Sequence, residues 1–217
     1  MAAVRDEIGY EIPLASEHFG HIGLESCIRL GRALDQFSLA WYEDMIPWQF
    51  ADQYKRLSEA VNTPVCTGED IYLKEGFMDL FRERAVSVIH PDLASSGGIL
   101  ETKRIGDLAQ EHGIAMAMHM AATPVATLAS VHCAAATENF MVLENHAVDV
   151  PWWDNLVEGL PRPLVKDGYI QVPETPGLGF SDINEDLFRE HLNPADPTFF
   201  ESTEAWDRES SHDRLWS

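Results

Sequence analysis

The 217-residue sequence predicts an α/β fold, a partial TIM-type (β/α) barrel. Short β-type runs alternate with longer runs of helical periodicity, and the β-type runs close on an ionisable residue at a near-constant interval. The competing architecture is an open doubly wound sheet, but no GxGxxG motif marks a nucleotide crevice.

The first run, EIPLASE, leads into GLESCIRLGRALDQF, where Leu24, Cys27, Ile28, Leu30 and Leu34 lie broadly on one helical face. LAWYED precedes FADQYKRLSEAV, and Asn62 and Pro64 mark the helix stop and the next strand start. PVCTGED precedes KEGFMDLFRER, and AVSVIHPD precedes GGILETKRIGDLAQEHG, which Gly113 ends. IAMAMHM precedes PVATLASVHCAAA, and FMVLEN is the last strand-like run. Strands separated by helices of this length imply βαβ units and a parallel sheet. The runs close on Glu17, Glu43, Glu69, Asp92, His119 and Glu144, at intervals of 23 to 27 residues. Taken singly, each carboxylate reads as a solvated loop residue and the histidine as a satisfied core one. In a parallel barrel, however, all strand C-termini open on one face, where active sites are built. Six ionisable groups at one interval therefore converge on one mouth.

Glu17, Glu43 and Glu69 make an all-oxygen set for a hard cation, and Mg²⁺ fits it. Without a cation, three carboxylates at one mouth repel and raise one another's pKa. Zinc is not expected, because no Cys or His spacing of a zinc site occurs. Asp92 and His119 end consecutive strands, and an aspartate beside a histidine orients the ring and stabilises the imidazolium. Glu144, kept protonated by burial among acids, is expected to donate to a developing oxyanion. Metal, histidine base and proton-donating acid together suit abstraction of a proton α to a carboxylate. The substrate does not follow from this constellation.

These residues and their flanking motifs resemble the enolase superfamily, and within it the mandelate racemase/muconate lactonizing enzyme-like branch, of acid-sugar dehydratase type. The matching motifs are WYEDMIPW around Glu43, TGED around Glu69, HPDLASSGGI around Asp92, MAMHM around His119 and VLENH around Glu144. VKDGYIQVPETPGLG resembles the family's C-terminal return past the barrel, and the resemblance runs from about Val4 to Leu192. It implies strands 3 to 8 of an eight-stranded barrel, with the N-terminal capping domain and first two strands absent from this chain. It implies Glu43 and Glu69 as Mg²⁺ ligands, the Asp92–His119 dyad as the base and Glu144 as the electrophilic acid. Glu17 stands where the family usually has aspartate, and is the third candidate ligand. Some dehydratases of the branch place a histidine near that ligand as general acid. His18 and His21 are therefore candidates to meet substrate and protonate a leaving hydroxyl, the other reading being an ordinary loop histidine. Residues 1–170 are expected to form the partial barrel, and residues 171–217 the return segment and an acidic tail.

The implied activity is a Mg²⁺-dependent aldonate or aldarate dehydratase, a hydro-lyase. It takes the proton α to the carboxylate, passes through an enediolate and expels the β-hydroxyl. The nearest rival is a racemase or epimerase of a 2-hydroxy acid, which normally needs a second base from the strand that is missing. A rival of another class is an inactive truncated remnant, or one half of a split enzyme.

Composition narrows the partners. With 36 acidic against 15 basic residues, only four of them lysine, the formal net charge is -21. Such a surface repels nucleic acid and anionic membranes. The resemblance implies a small sugar acid as substrate, with further copies of the chain or a missing N-terminal half as protein partners. Cys27, Cys66 and Cys133 are widely spaced and form no CxxC pair, which argues against a disulfide framework and suits a reducing cytoplasm. MAAVRDEIGYE lacks the apolar centre of a signal peptide, and no run approaches about 18 apolar residues. The acidity fits either a salt-adapted protein or an ordinary acidic one. If it is salt adaptation, screening of surface repulsion should raise the melting temperature between low and molar KCl. A flat or falling melting temperature over that range would remove the salt-adapted reading.

Overall fold

The computed structural model describes residues 1–195. They fall into two compact units, residues 1–120 with 129–144, and residues 121–128 with the described chain from 145 onward.

Along the chain, α1 (Ala2–Ile8), β1 (Ser16–Glu17), α2 (Leu24–Leu34), β2 (Tyr42–Glu43), α3 (Ala51–Ala60) and β3 (Val65–Thr67) come first. They are followed by α4 (Leu73–Glu83), β4 (Val88–Ile89), α5 (Leu93–Ser96), α6 (Gly98–Glu111), β5 (Ala115–Met118), α7 (Pro124–Ala135) and β6 (Phe140–Leu143). The six strands pair in sequence order, all parallel, and curl as half of a barrel. This is the predicted fold class. The strands are shorter than the apolar runs that announced them, because only two to four residues of each run pair with a neighbour.

Helices α2, α3, α4 and α6 each bury a single stripe. The buried residues are Leu24, Cys27 and Gly31 on α2, and Ala51, Tyr54 and Leu57 on α3. On α4 they are Phe77, Leu80 and Phe81, and on α6 Thr102, Ile105, Gly106 and Ala109. Steps of three and four residues keep these on one face. At Gly31 a Cβ would lie 2.6 Å from Val61 Cγ1 and 3.3 Å from the Tyr42 ring. Its absence lets α2 settle against β2, where the Tyr42 hydroxyl donates to the Gly31 carbonyl at 2.7 Å.

The sequence did not announce α1, since its polar residues carry no clear apolar stripe. Arg5 explains why it folds. The side chain is buried, and its guanidinium donates to the carbonyls of Phe37, Gly9, Ile12 and Ser38 at 2.8 to 2.9 Å. The cation also lies 4.9 Å from the centre of the Tyr10 ring. One residue thus ties the N-terminus to the turn that follows α2.

The second unit has its own core: Leu128, Trp153, Leu156, Val157 and Leu164, with Phe180, Ile183 and Leu187 packed against it. Trp153 Nε1 donates to the Ala122 carbonyl at 3.0 Å. A two-stranded antiparallel hairpin, β7 (Val165–Lys166) and β8 (Tyr169–Ile170), turns at Asp167 and Gly168, both at positive φ. Asp-Gly is the dipeptide such a tight turn favours. The last helix, α8 (Glu185–Glu190), is capped by Asn184 Oδ1, which accepts from Leu187 N–H at 3.1 Å. Of the expected return segment and acidic tail over 171–217, residues 171–195 belong to this unit, and the rest lies outside the described residues. No helix among the described residues is long and apolar enough to cross a membrane.

Replacing Arg5 by alanine leaves four carbonyls without their donor. Chemical denaturation should show a loss of about 3 kcal/mol, the scale for charged hydrogen bonds within a buried group. A loss below about 1 kcal/mol would mean that water replaces the guanidinium freely.

Candidate active site

The register sets Glu17 beside Glu43, and Glu43 beside Cys66. Side chains alternate along a strand, so residues two apart share a face. On the inner face Cys66, Val88 and Ala117 pack together, with Trp41 and Ala115 against them. One step further along the same strands come Glu43, His90 and His119. Glu69 follows Gly68, where a Cβ would meet His90 N at 2.8 Å and where φ is +152°. Glycine is what the TGED turn requires to pass so close to the next strand.

His119 is the centre of the group. Its backbone bridges to Asp92 across the ends of β4 and β5, and its Nδ1 lies 2.7 Å from Asp92 Oδ2. Asp92 also caps α5, accepting from Ala94 N–H at 2.7 Å. Burial pushes the Asp92 carboxyl up, but the hydrogen bonds from His119 and Ala94 outweigh it and hold it below its ordinary value. An ionised carboxylate only accepts, so Nδ1 carries a proton, and Nε2 is the ring nitrogen turned away from Asp92. That nitrogen looks toward Glu69 Oε2 at 3.4 Å and Glu144 Oε2 at 3.6 Å. Burial works against the charged ring, yet Asp92, Glu69 and Glu144 together raise the His119 pKa to about 9.

Glu17, Glu43 and Glu69 each present a carboxylate oxygen, and these lie within 4.8 Å of one another. Glu17 Oε1 accepts from the backbone N–H groups of His18 and Phe19. Glu43 is 8% exposed; its Oε2 accepts from Trp41 Nε1 at 2.6 Å and its Oε1 lies 3.4 Å from His90 Nε2. Burial, with Glu17 and Asp44 nearby, pushes Glu43 up to about 8 against the Trp41 hydrogen bond. Burial also pushes Asp44 up to about 7, opposed by the Thr67 hydroxyl that donates to it. Glu69 is raised as well, chiefly by burial and against the pull of His119. Three converging carboxylates, with Glu43 and Glu69 discouraged by burial from ionising on their own, are a donor set suited to a hard cation.

Glu144 accepts from Met120 N–H at 3.1 Å and lies 3.4 Å from His90 Nε2. The six strand-end residues of the sequence pattern therefore stand together. The two loop histidines do not join them. His18 Nε2 is 2.9 Å from Ser16 Oγ, its ring meets Tyr42 edge-on, and burial lowers its pKa against the nearby Glu17. His21 is exposed. Sequence reasoning missed His90 and Trp41. His90 is buried and bridges Glu43 and Glu144, and its ring stands edge-on to His119 at 5.5 Å. Both could have been found, since each sits two residues before a strand-end acid and so on the same face.

The ends of these parallel strands carry a carboxylate trio beside a His–Asp pair, a set of groups chemically suited to proton transfer beside a cation. The sequence profile of the enolase C-terminal domain-like family matches residues 1–187, and the chain belongs to that family. Within it the chain falls in the mandelate racemase/muconate lactonizing enzyme branch, as the C-terminal barrel portion. It is 35% identical over 200 residues to the D-xylonate dehydratase of Haloferax volcanii, an alignment covering 92% of this chain and 48% of that protein. It is 32% identical to the D-gluconate/D-galactonate dehydratase of Picrophilus torridus, covering 83% of this chain and 46% of the relative. A mandelate racemase/muconate lactonizing enzyme-like protein from Rubrobacter xylanophilus superposes with a TM-score of 0.86 at 38% identity, over 90% of this chain and 50% of that one. The chain thus spans about half the length of the curated relatives it matches.

Glu43, Asp44, Glu69 and His119 all hold their protons more tightly folded than unfolded. For Asp44 and Glu43 that contribution is fully present below the ordinary carboxyl range and is lost as pH rises through about 7 and 8; for His119 it is lost through about 9, and Glu69 acts in the same direction. In cation-free buffer the melting temperature should therefore fall between pH 6 and pH 9, by about 5 °C or more. Millimolar Mg²⁺ at matched ionic strength should recover most of it at pH 9. A melting temperature that rises with pH in the cation-free chain would contradict the arrangement.

Proposed function

We propose that this chain is the barrel portion of a Mg²⁺-dependent sugar-acid dehydratase. The carrying observation is the orientation of His119, tied to Asp92 through Nδ1 and facing Glu69 and Glu144 through Nε2. The names of the relatives, dehydratases of D-xylonate and of D-gluconate and D-galactonate, supply the substrate class.

Glu43 and Glu69, with Glu17 as third ligand, would hold the cation, and bound Mg²⁺ would offset the charge that develops on a substrate carboxylate. With Glu69 engaged by the cation, less negative charge would hold the ring protonated, and neutral His119 Nε2 would take the proton α to that carboxylate. Asp92 keeps the ring in the productive tautomer and stabilises the imidazolium that results. As the enediolate collapses, the β C–O bond breaks and the hydroxyl leaves with a proton as water. The His119 imidazolium is a donor already in the site, whereas His18 is held by Ser16 and Tyr42. Glu144 lines the same mouth, in reach to steady an oxyanion through a proton on its carboxyl.

A second reading concerns assembly. β1 and β6 are the sheet's two edges, and on β6 the apolar Met141 and Val142 are exposed. Unpaired backbone beside exposed apolar side chains invites further strands. With relatives about twice as long, the activity belongs to this barrel joined to an N-terminal portion, in cis or as a second chain.

One experiment tests both readings. α-Proton exchange in deuterated solvent and turnover of a panel of aldonates and aldarates are measured for the chain alone and with a relative's N-terminal portion supplied. Exchange and turnover are expected only in the supplemented sample. There, His119→Asn should abolish both, and Asp92→Asn should reduce them by about 10³-fold or more. Calorimetry on Glu43→Gln with Glu69→Gln should show no Mg²⁺ binding. Undiminished exchange in the His119 variant would remove the base assignment, and unchanged Mg²⁺ affinity would remove the ligand assignment.

A further inference from the structure

The three cysteines differ in what their sulfurs meet. The Cys27 thiol donates to the Met45 carbonyl at 3.1 Å, and the Cys133 thiol to the Ile99 carbonyl at 3.8 Å. Cys66 has no such carbonyl partner among the described residues, although it is fully buried. Its sulfur instead faces two metal-ligating side chains: Cys66, Glu43 and His90 each offer a ligand atom within 4.8 Å of the others. His90 is 3% exposed, and its Nδ1 is buried with no hydrogen-bond partner. The nitrogen turned toward Glu43 and Glu144 is Nε2, at 3.4 Å from each, and it offers a lone pair to a cation when the ring proton resides on Nδ1, where no partner opposes it.

We propose that Glu43, Cys66 and His90 form a second metal site, suited to a borderline or soft divalent cation such as Zn²⁺ or Co²⁺, adjoining the all-oxygen trio and sharing Glu43 with it. Tetrahedral Zn²⁺ with oxygen and nitrogen at about 2.1 Å and sulfur at about 2.3 Å needs ligand atoms roughly 3.4 to 3.8 Å apart. The edge from Glu43 Oε1 to His90 Nε2 is already 3.4 Å. The Cys66 sulfur lies within 4.8 Å of a ligand atom on each of the other two residues, so completing the face takes a small side-chain adjustment. Glu144 Oε2, also 3.4 Å from His90 Nε2, stands where a fourth ligand would approach. Thiolate and imidazole select against Mg²⁺, which prefers oxygen, so the two trios differ in the cation they take. Burial holds the Cys66 thiol protonated, so binding releases that proton to solvent. Because one carboxylate serves both trios, a soft cation here competes with a hard one there.

The test uses the 217-residue chain with Co²⁺ as the probe. Titration should give a thiolate-to-cobalt band in the near ultraviolet that saturates at one equivalent. The band should vanish in Cys66→Ser and persist in Cys133→Ser. Affinity should fall about 10-fold or more in His90→Gln. A band that survives in Cys66→Ser, or never forms, overturns the proposal. A measurement without variants guards against misfolding: zinc-edge X-ray absorption of the unmodified chain with one equivalent of Zn²⁺ should show one sulfur at about 2.3 Å. A shell of oxygen and nitrogen alone overturns the proposal. The outcome is separable from the magnesium reading, because Glu17→Gln should weaken Mg²⁺ binding in calorimetry and leave the cobalt–thiolate band in place.

Discussion

The structure depends on a crowd of like charges at one end of a parallel sheet. Parallel pairing in sequence order brings the ends of β1, β2 and β3 together, and each run ends in glutamate. Among the described residues, the ion-pair partners of Glu43 and Glu69 are imidazoles, His90 and His119. A carboxylate with a lysine beside it would be stable and inert. One balanced against histidines and a Trp41 N–H is left short of positive charge, and that shortage is what a cation can supply. The elevated proton affinities of Glu43, Glu69 and His119 are one imbalance seen from three positions. They form a coupled group, so removing charge at one alters the others.

What could be read in the sequence follows from which interactions are periodic. The strand-end acids were legible because each βα unit repeats the same length and places one residue at the same height on the sheet. The helices were legible for a similar reason, since α2, α4 and α6 carry apolar residues at steps of three and four. α1 was not, because it is held by one arginine reaching carbonyls more than 30 residues away, and a contact of that kind leaves no local pattern. His18 was singled out for standing next to Glu17, yet neighbours along a strand point to opposite faces. It accordingly turns to Ser16 and Tyr42, away from the mouth.

The same geometry explains why the sulfur-containing trio escaped a search for zinc spacings. Zinc motifs in sequence are short because both ligands of a pair usually come from one turn. Here Glu43, Cys66 and His90 come from three successive strands, and only lateral pairing makes them neighbours. In a parallel sheet the relevant spacing is the length of a βα unit, and at that spacing a Cys and a His look unrelated. A barrel can therefore carry two donor sets of different hardness on adjoining layers of one inner face.

Asp92 joins the chemistry to the fold more tightly than any other residue of the group. One of its oxygens accepts from the Ala94 N–H at the start of α5, and the other meets His119 Nδ1. The cap fixes the rotamer of the carboxylate, and the carboxylate fixes the plane of the imidazole. Both hydrogen bonds favour its ionised form, so the carboxylate stays an acceptor while its neighbours gain protons. Asparagine at this position could preserve the cap through its carbonyl oxygen, yet its amide would face Nδ1 with a donor. The ring would then turn its lone pair toward that amide and its N–H toward the mouth. The fold would be intact and the ring turned the wrong way for the base proposed here, which separates the structural duty of this side chain from its proposed chemical one.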